Sequence, residues 1–252
     1  MSNRVPLYLD TGIFVAHYYP QDSNQKNQKV ISFLDAVSKA KFIELVTSDF
    51  TLTEFTKVLQ DKGFEDKKIV EFLSDLTRRK KLGRKYKFNL IEVEGKEADY
   101  TFADFFVDLQ AVFLNARPGI ADAIHSVIMS TNKLKYIIAF DGDFSKVEKI
   151  VQIKPEEATP YIKILTNFGE ELNVTEETKA KAFEIILRAI DAGFTKETKI
   201  EGIIAAAIYL ASKITADKET KERVMDRLES VTGIRTKSRY EELVRELGLS
   251  WT

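Results

Sequence analysis

Residues 5–12 read VPLYLDTG, an apolar run that ends at an acid, a hydroxyl and a glycine. A short apolar run that stops at turn-forming residues predicts a buried strand followed by a turn. A second strand-like run follows at 42–46. Between the two runs, apolar residues within 30–37 recur at the spacing of one helix face. This strand–helix–strand unit predicts a parallel sheet and so decides the fold class.

Helices and strands continue to alternate up to about residue 149. Helical spacing recurs at 52–59, 69–76 and 102–114, residues 118–131 form a further helix opened by Pro118, and 136–140 is a continuous apolar strand. Strands that alternate with helices predict an α/β domain with a largely parallel sheet, which we assign to residues 1–151.

A second domain is predicted after a polar stretch that includes Pro155 and Pro160. The periodicity lapses there, and we place a linker at 152–159. From residue 161 onward every segment has helical periodicity. The predicted helices are 161–172, 176–192, 197–214, 218–231 and 235–247. Residues 160–252 are therefore expected to form an all-α domain.

The composition is that of a globular chain. Its 252 residues are 44% hydrophobic and 31% charged, which excludes a mainly disordered protein. The formal charge of -1 provides no overall field for polyanions, so any affinity for nucleic acid is expected to be local. The absence of Cys excludes disulfides and thiolate metal sites. We expect no signal peptide and no membrane anchor, and a cytoplasmic location.

Four acidic residues stand at predicted strand ends or helix starts. They are Asp10, Glu54, Asp122 and Asp141. The carboxyl ends of parallel strands meet at one edge of a sheet, so these side chains are expected to converge. Carboxylates at close range repel one another unless a cation lies among them, and oxygen ligands favour Mg²⁺ or Mn²⁺. The pattern therefore predicts a catalytic metal site that hydrolyses phosphodiesters.

Each acid also has a purely structural interpretation. Asp10 could cap the turn at residues 11–12, and the spacing Thr51-x-x-Glu54 matches a capping box. Asp122 could interact with a helix dipole, and Asp141 precedes a glycine in a common turn dipeptide. It is the order and placement of the four together that favours a shared site.

Four motifs resemble those of the PIN-domain (PilT N-terminal) nucleases. The motifs LYLDTGIF at 7–14, TSxxTxxE at 47–54, ADAIH at 121–125 and FDGDF at 140–144 are similar to the acidic motifs of that family. The resemblance implies a Rossmann-like sheet, frequent homodimers, and Mg²⁺- or Mn²⁺-dependent endonuclease activity, usually on RNA and often on single strands. It implies metal ligation by Asp10, Glu54, Asp122 and Asp141, with Asp143 as an accessory ligand. Ala139 departs from the Thr or Ser that many members carry.

Two further features accompany the acids. His125 lies three residues after Asp122, on the same helix face, where it could contact the site, although packing is the more common role of such a histidine. A basic segment is the best candidate for contact with single-stranded RNA, because its cations can neutralise phosphates and the rings of Tyr86 and Phe88 can stack on bases. Its residues are Arg78, Arg79, Lys80, Lys81, Arg84, Lys85 and Tyr86. The alternative is a solvated connection between a helix and a strand.

Helices predicted at 221–231 and 235–247 flank a Gly-containing turn, as in a helix-turn-helix. If this motif binds DNA, the candidate groove-facing residues are Arg235, Thr236, Lys237 and Arg239. An ordinary helical hairpin is the alternative.

Residues 202–212 and 231–243 resemble two motifs of the cyclin-like repeats of transcription initiation factor B. The resemblance covers about 159–247 and implies a five-helix cyclin-like fold and promoter DNA contact. The chain departs from the family in having one repeat, no zinc ribbon, and Ile200 in place of a Pro. Acidic residues crowd the last two predicted helices, so a transcription protein is an equally suitable partner. The leading hypothesis is an endoribonuclease with a helical targeting domain. The rival is a non-catalytic regulator built on a degenerate nuclease fold.

Overall fold

The computed structural model describes residues 4–21, 24–77, 88–91, 100–141, 143–194, 199–215 and 236–248. Of the residues singled out above, the basic segment 78–87 and Arg235 lie outside these ranges, as do the side chains of Asp143, Thr236, Lys237 and Arg239. Within the described residues, no helix combines the length and the apolar character needed to span a membrane.

The first part of the chain alternates strands with helices, as predicted. The strands are β1 (Val5–Leu9), β2 (Ile43–Ser48), β3 (Phe88–Ile91), β4 (Tyr136–Ile138) and β5 (Val151–Ile153). The helices are α1 (Thr11–Tyr18), α2 (Asn24–Lys39), α3 (Asp49–Asp61), α4 (Asp66–Thr77), α5 (Phe102–Ala116) and α6 (Ile120–Thr131), with a 3-10 turn at Asp143–Lys146.

The five strands form one parallel sheet in the order β3-β2-β1-β4-β5. β1 pairs with β4, so that Leu9 lies opposite Ile138, and β2 pairs with β3. The parallel α/β fold predicted from residues 5–12 is confirmed. Because β1 and β2 are neighbours and run the same way, the residues that follow Leu9 and Ser48 emerge at the same edge of the sheet.

A fully buried apolar cluster fixes α6 against this sheet. Ala123, Val127 and Ile128 of α6 pack with Tyr8 of β1 and Ile137 of β4, and all five are 0% exposed. Full burial of a side chain such as Val or Ile stabilises a fold by about 1.5–3 kcal/mol. The side chains between these anchors are therefore held in a defined orientation toward the sheet.

The segment after β1 differs from the prediction. Residues 11–18 form the helix α1, where a turn is predicted, and His17 lies in its last turn. The reason is local, because Asp10 has extended backbone angles and its side chain accepts a hydrogen bond from the Gly12 N–H, as a helix N-cap does. The apparent Thr-Gly turn is thus the first turn of a helix.

The predicted linker at 152–159 is ordered instead. It contains the end of β5 and the start of α7 (Pro155–Glu171). Pro155 suits the first helical position, where no N–H is needed. Pro160 removes one backbone donor from the second turn, and the helix continues because Ile162 and Leu165 are fully buried. Both prolines that suggest a linker therefore lie within a helix.

The chain divides into two compact units. One comprises Pro6–Ser38 and Glu44–Pro155, and the other comprises Glu156–Thr252 with the short segments Met1–Val5 and Lys39–Ile43. In the second unit, the rings of Phe42 and Phe183 lie 5.6 Å apart. The predicted extent 1–151 includes the two short segments Met1–Val5 and Lys39–Ile43, which lie in the helical unit.

The second unit is helical throughout its described residues. α7 is followed by α8 (Glu176–Asp191), α9 (Ile200–Ile214) and α10 (Thr236–Glu246). The small-residue run in α9 is fully buried at Ala205–Ala207, as expected for a central helix that its neighbours approach closely. The helix predicted at 218–231 lies outside the described residues.

Candidate metal centre

Asp10 is positioned by the junction of β1 and α1. Its Oδ2 accepts a hydrogen bond from Gly12 N at 3.1 Å, which holds the carboxylate at the helix start. A Cβ at position 12 would lie 3.1 Å from the same oxygen, closer than most such contacts. Glycine is therefore required for the carboxylate to occupy this place without displacement.

Glu54 lies in the second turn of α3, one turn later than predicted. The N-cap of α3 is Ser48, whose side chain accepts a hydrogen bond from Thr51 N at 3.2 Å. The capping-box interpretation of Thr51-x-x-Glu54 is therefore wrong. Instead, Glu54 Oε2 accepts a hydrogen bond from Thr11 Oγ1, which joins α3 to α1.

His125 of α6 completes a group of three side chains that could hold a metal ion. Its side chain is 1% exposed, and its Nε2 lies 3.0 Å from Glu54 Oε2 and 3.7 Å from Asp10 Oδ1. One ligand atom from each of the three residues lies within 4.8 Å of the other two. Sequence reasoning treated His125 mainly as a packing residue, whereas the structure places it in direct contact with a carboxylate.

These separations fit a single divalent cation. Neighbouring ligands of an octahedral ion at about 2.1 Å lie about 3.0 Å apart. The distances of 3.0 Å and 3.7 Å from His125 Nε2 to the two carboxylates are close to that value. Asp10 and Glu54, with His125 beside them, could therefore hold a metal ion after small side-chain adjustments.

The surroundings shift the pKa values of Asp10 and Glu54 in opposite directions. Burial raises the pKa of Asp10, the Glu54 charge raises it further, and His125 opposes both. Burial also acts to raise the pKa of Glu54, but the hydrogen bonds from His125 and Thr11 outweigh it, so this pKa lies below its usual value. Asp10 is thus the carboxylate whose negative charge is poorly tolerated without a nearby cation.

Three buried hydroxyl groups lie on the Nδ1 side of His125. The Tyr8 hydroxyl lies 2.8 Å from His125 Nδ1, 2.6 Å from Ser48 Oγ and 2.9 Å from Thr51 Oγ1. We call these three hydroxyls of Tyr8, Ser48 and Thr51 the hydroxyl cluster. A neutral His125 satisfies both sides, because Nε2–H donates to Glu54 while Nδ1 accepts the Tyr8 O–H. The imidazole is therefore oriented by a contact at each ring nitrogen.

The other predicted acids are placed differently. Asp122 lies in the first turn of α6, and its Oδ2 is 3.3 Å from the position that a Cβ of Gly119 would take. Asp141 follows β4 and is exposed, and its backbone carbonyl accepts a hydrogen bond from the Gln152 side chain. Neither is a member of the described group whose ligand atoms lie within 4.8 Å of one another.

Two known family models match consecutive parts of the chain. The PIN domain model matches residues 7–150, and the Transcription factor TFIIB repeat model matches residues 154–246. Both resemblances inferred from the motifs are confirmed.

The helical part has relatives among archaeal initiation factors. The chain is 36% identical over 92 residues to Transcription initiation factor IIB 2 of Thermococcus kodakarensis, a match covering 36% of this chain and 30% of the relative. It is 34% identical over 97 residues to Transcription initiation factor IIB of Pyrococcus abyssi, covering 38% and 30% respectively. It is 35% identical over 100 residues to Transcription initiation factor IIB 1 of Thermoplasma volcanium, covering 40% and 31%.

The chain therefore spans less than a third of the length of these relatives. Its larger part has the sheet order, the acidic strand ends and the family match described above, whereas its smaller part is a single helical repeat. From the match over residues 7–150, we conclude that the chain belongs to the PIN domain family and carries a TFIIB-like repeat after that domain.

Proposed function

We propose that this protein is a metal-dependent endonuclease that hydrolyses phosphodiester bonds of RNA. The observation that carries the proposal is the pair of carboxylates, Asp10 and Glu54, which meet at the carboxyl edge of the sheet in a PIN domain. Oxygen ligands of this kind suit Mg²⁺ or Mn²⁺. Such an ion supplies an activated water and a positive charge opposite the phosphate.

The residues of the chain act by binding and orientation. Asp10 and Glu54 would hold the ion, and the Thr11 hydrogen bond fixes one oxygen of Glu54. Asp122, Asp141 and the accessory Asp143 remain proposed ligands, since the family motifs assign them to the same edge. An exposed carboxylate such as Asp141 is suited to hold an ion that arrives with the substrate phosphate, because it remains solvated until then.

RNA binding is proposed for the basic segment that includes Arg78, Arg79, Lys80, Lys81, Arg84, Lys85 and Tyr86. Described α4 ends at Thr77 and β3 begins at Phe88, so the segment joins the helix after the Glu54 helix to an edge strand. A chain with net charge -1 needs such a local concentration of cations to attract a polyanion.

Cleavage assays test the proposal. Labelled single-stranded RNA and DNA of the same sequence would be incubated with Mg²⁺, Mn²⁺ or EDTA. We expect RNA cleavage that requires metal and is lost in Asp10→Asn, Glu54→Gln and Asp122→Asn. Asp49→Asn, at an exposed carboxylate in the first turn of α3, is the matched control and should retain activity. Cleavage that persists in EDTA or in the site variants would reject the proposed site.

A second function is favoured by the helical repeat. The relatives of residues 154–246 are named transcription initiation factors, so we also propose that this repeat binds promoter DNA or a transcription protein. Arg235, which lies outside the described residues, and Lys237 and Arg239 of α10 are the proposed DNA contacts. If they bind DNA, duplex promoter fragments should bind the parent chain more tightly than the Arg235→Gln/Arg239→Gln variant. If the parent and the variant bind duplex DNA equally, these residues do not contact DNA, and a transcription protein becomes the proposed partner of this repeat.

A further inference from the structure

Asp10, Glu54 and His125 together offer two carboxylates and one imidazole nitrogen within 4.8 Å of one another. We propose that His125 Nε2 binds the cation directly, together with Asp10 and Glu54, and that the site therefore selects Mn²⁺ or another first-row transition ion over Mg²⁺. This inference rests on the proposed function only in requiring that the site bind a cation. It assigns His125 a ligand role that the acidic motifs do not include.

Position is the first argument for a ligand role. His125 Nε2 lies 3.0 Å from Glu54 Oε2 and 3.7 Å from Asp10 Oδ1, so this nitrogen lies beside both carboxylates. An ion bound by both carboxylates at about 2.1 Å would lie beside this nitrogen. An imidazolium would compete with the ion for the two carboxylates, whereas a neutral imidazole offers a third lone pair.

The imidazole nitrogen is the reason to expect that the site prefers a transition ion to Mg²⁺. Imidazole nitrogen is a ligand for transition ions, whereas Mg²⁺ prefers oxygen and keeps much of its water. Two carboxylates with one imidazole form a mixed set that Mg²⁺ uses less well than Mn²⁺, Co²⁺ or Zn²⁺. In the described part of the chain, no cluster of three possible ligands other than this one has its ligand atoms within 4.8 Å of one another.

The hydroxyl cluster permits the change of tautomer that ligation requires. A bound Nε2 must lose its hydrogen, and a neutral ring then carries its proton on Nδ1. In that tautomer Nδ1–H donates to the Tyr8 oxygen, and the Tyr8 O–H turns to Ser48 Oγ at 2.6 Å or Thr51 Oγ1 at 2.9 Å. Solvent water accepts the proton that leaves Nε2 and supplies the proton that Nδ1 gains, so the charge of the ring and of Tyr8 is unchanged.

The partner at Nδ1 is the usual support of a metal-bound histidine. Such residues almost always donate their second N–H to a fixed acceptor, which orients the ring. Tyr8 provides this acceptor from a strand position that is fully buried.

Pulsed EPR of Mn²⁺ bound to the full chain tests the proposal directly. A coordinated imidazole gives a ¹⁴N modulation, which we expect in the parent and which should change to a ¹⁵N pattern when the histidines are ¹⁵N-labelled. The chain has two histidines, so His17→Gln is the matched control and should keep the nitrogen signal. His125→Gln should lose it.

Equilibrium dialysis gives a second readout that does not depend on activity. We expect the parent to bind Mn²⁺ at least tenfold more tightly than Mg²⁺, and we expect His125→Gln to reduce that ratio at least fivefold. Tyr8→Phe should keep the nitrogen signal while weakening Mn²⁺ binding, since the ring loses its support.

The outcomes separate the two proposals. Bound Mn²⁺ without a nitrogen signal in the parent, or an unchanged Mn²⁺/Mg²⁺ ratio in a folded His125→Gln, would overturn the ligand role and leave the nuclease proposal standing. Failure of the folded parent to bind any divalent ion would overturn both. If His125→Gln does not fold, the isotope-labelled parent and His17→Gln still decide the question.

Discussion

The Thr11 hydroxyl donates a hydrogen bond to Glu54 Oε2, although 43 positions separate the two residues in the chain. The contact links the first turn of α1 to the second turn of α3 and lowers the pKa of Glu54. A hydroxyl that is not itself a proposed metal ligand thus orients one of the two central carboxylates.

Replacement of Thr11 by valine should weaken metal binding with little change in shape. Supports of this kind typically contribute about 10- to 100-fold to metal affinity, so Thr11→Val should raise the Kd for Mn²⁺ within that range. Thr53→Val, at an exposed threonine of the same helix as Glu54, should leave the Kd unchanged. Equal affinities for all three proteins, measured by dialysis, would show that the Thr11 contact does not position a ligand.

Neutralising Asp10 should stabilise the metal-free protein. Burial raises the pKa of Asp10, so ionising this carboxyl costs the folded state free energy as the pH rises above its usual pKa of 3.8. We expect Asp10→Asn to gain on the order of 1 kcal/mol at pH 7, a rise in Tm of about 2–4 °C. The gain should vanish below pH 3.8, and the added stabilisation by Mn²⁺ should shrink.

Neutralising Glu54 should change the stability of the protein in the opposite direction to neutralising Asp10. Its pKa is lowered, so its contribution to stability is present above its usual pKa of 4.5 and is lost as the pH falls through the lower folded-state value. Glu54→Gln should therefore destabilise the protein at pH 7 and have little effect in acid. Denaturant titrations at a series of pH values measure both curves. Parallel curves for the parent and Asp10→Asn would contradict the electrostatic account.

Removal of the Tyr8 hydroxyl should destabilise the α/β unit. Tyr8→Phe leaves His125 Nδ1 without its buried partner and removes a contact from Ser48 and Thr51. An unsatisfied buried polar group costs about 1–3 kcal/mol. Urea unfolding should show a loss in this range, against less than about 0.5 kcal/mol for Tyr19→Phe at a partly exposed ring. A loss as small as that of Tyr19→Phe would argue against the hydroxyl cluster.

Two lysines of the basic segment test the proposed RNA contact. If Lys80 and Lys81 each neutralise one phosphate, the Lys80→Gln/Lys81→Gln variant should reduce the slope of log affinity against log salt by about 1.4 on single strands. Fluorescence anisotropy over a range of salt concentrations measures the slope. Lys39→Gln/Lys67→Gln removes the same charge from exposed helix positions and should leave it unchanged. Identical slopes in both variants would remove the segment from the binding surface.

The sequence alone predicted the features that depend on local pattern. Apolar runs that stop at an acid predicted β1 and the placement of Asp10, and parallel topology predicted that Asp10 and Glu54 would share one edge. The fold class followed from the same alternation, because a parallel sheet requires a crossover between its strands. Short edge elements such as β3 and β5, each of three or four residues, have too little periodicity to be recognised.

The role of His125 could not be obtained from spacing alone. Its distance to Glu54 depends on how α6 packs against the sheet, which is a tertiary property. One signal was available, because Tyr8 lies in an apolar strand two positions before Asp10 and therefore on the same side of β1. A buried tyrosine hydroxyl needs a partner, and a helix that carries both Asp122 and a histidine was the place to seek it.

The order in which the ligands occur along the chain has a consequence for biosynthesis. Nearly half of the sequence must follow Asp10 before His125 is made, and α6 must then pack on the sheet before the imidazole reaches the two carboxylates. A nascent chain that has emerged only as far as α3 holds both acids but not the imidazole between them. The three side chains can therefore come together only after α6 has been made, and a chain that is truncated before α6 lacks this arrangement.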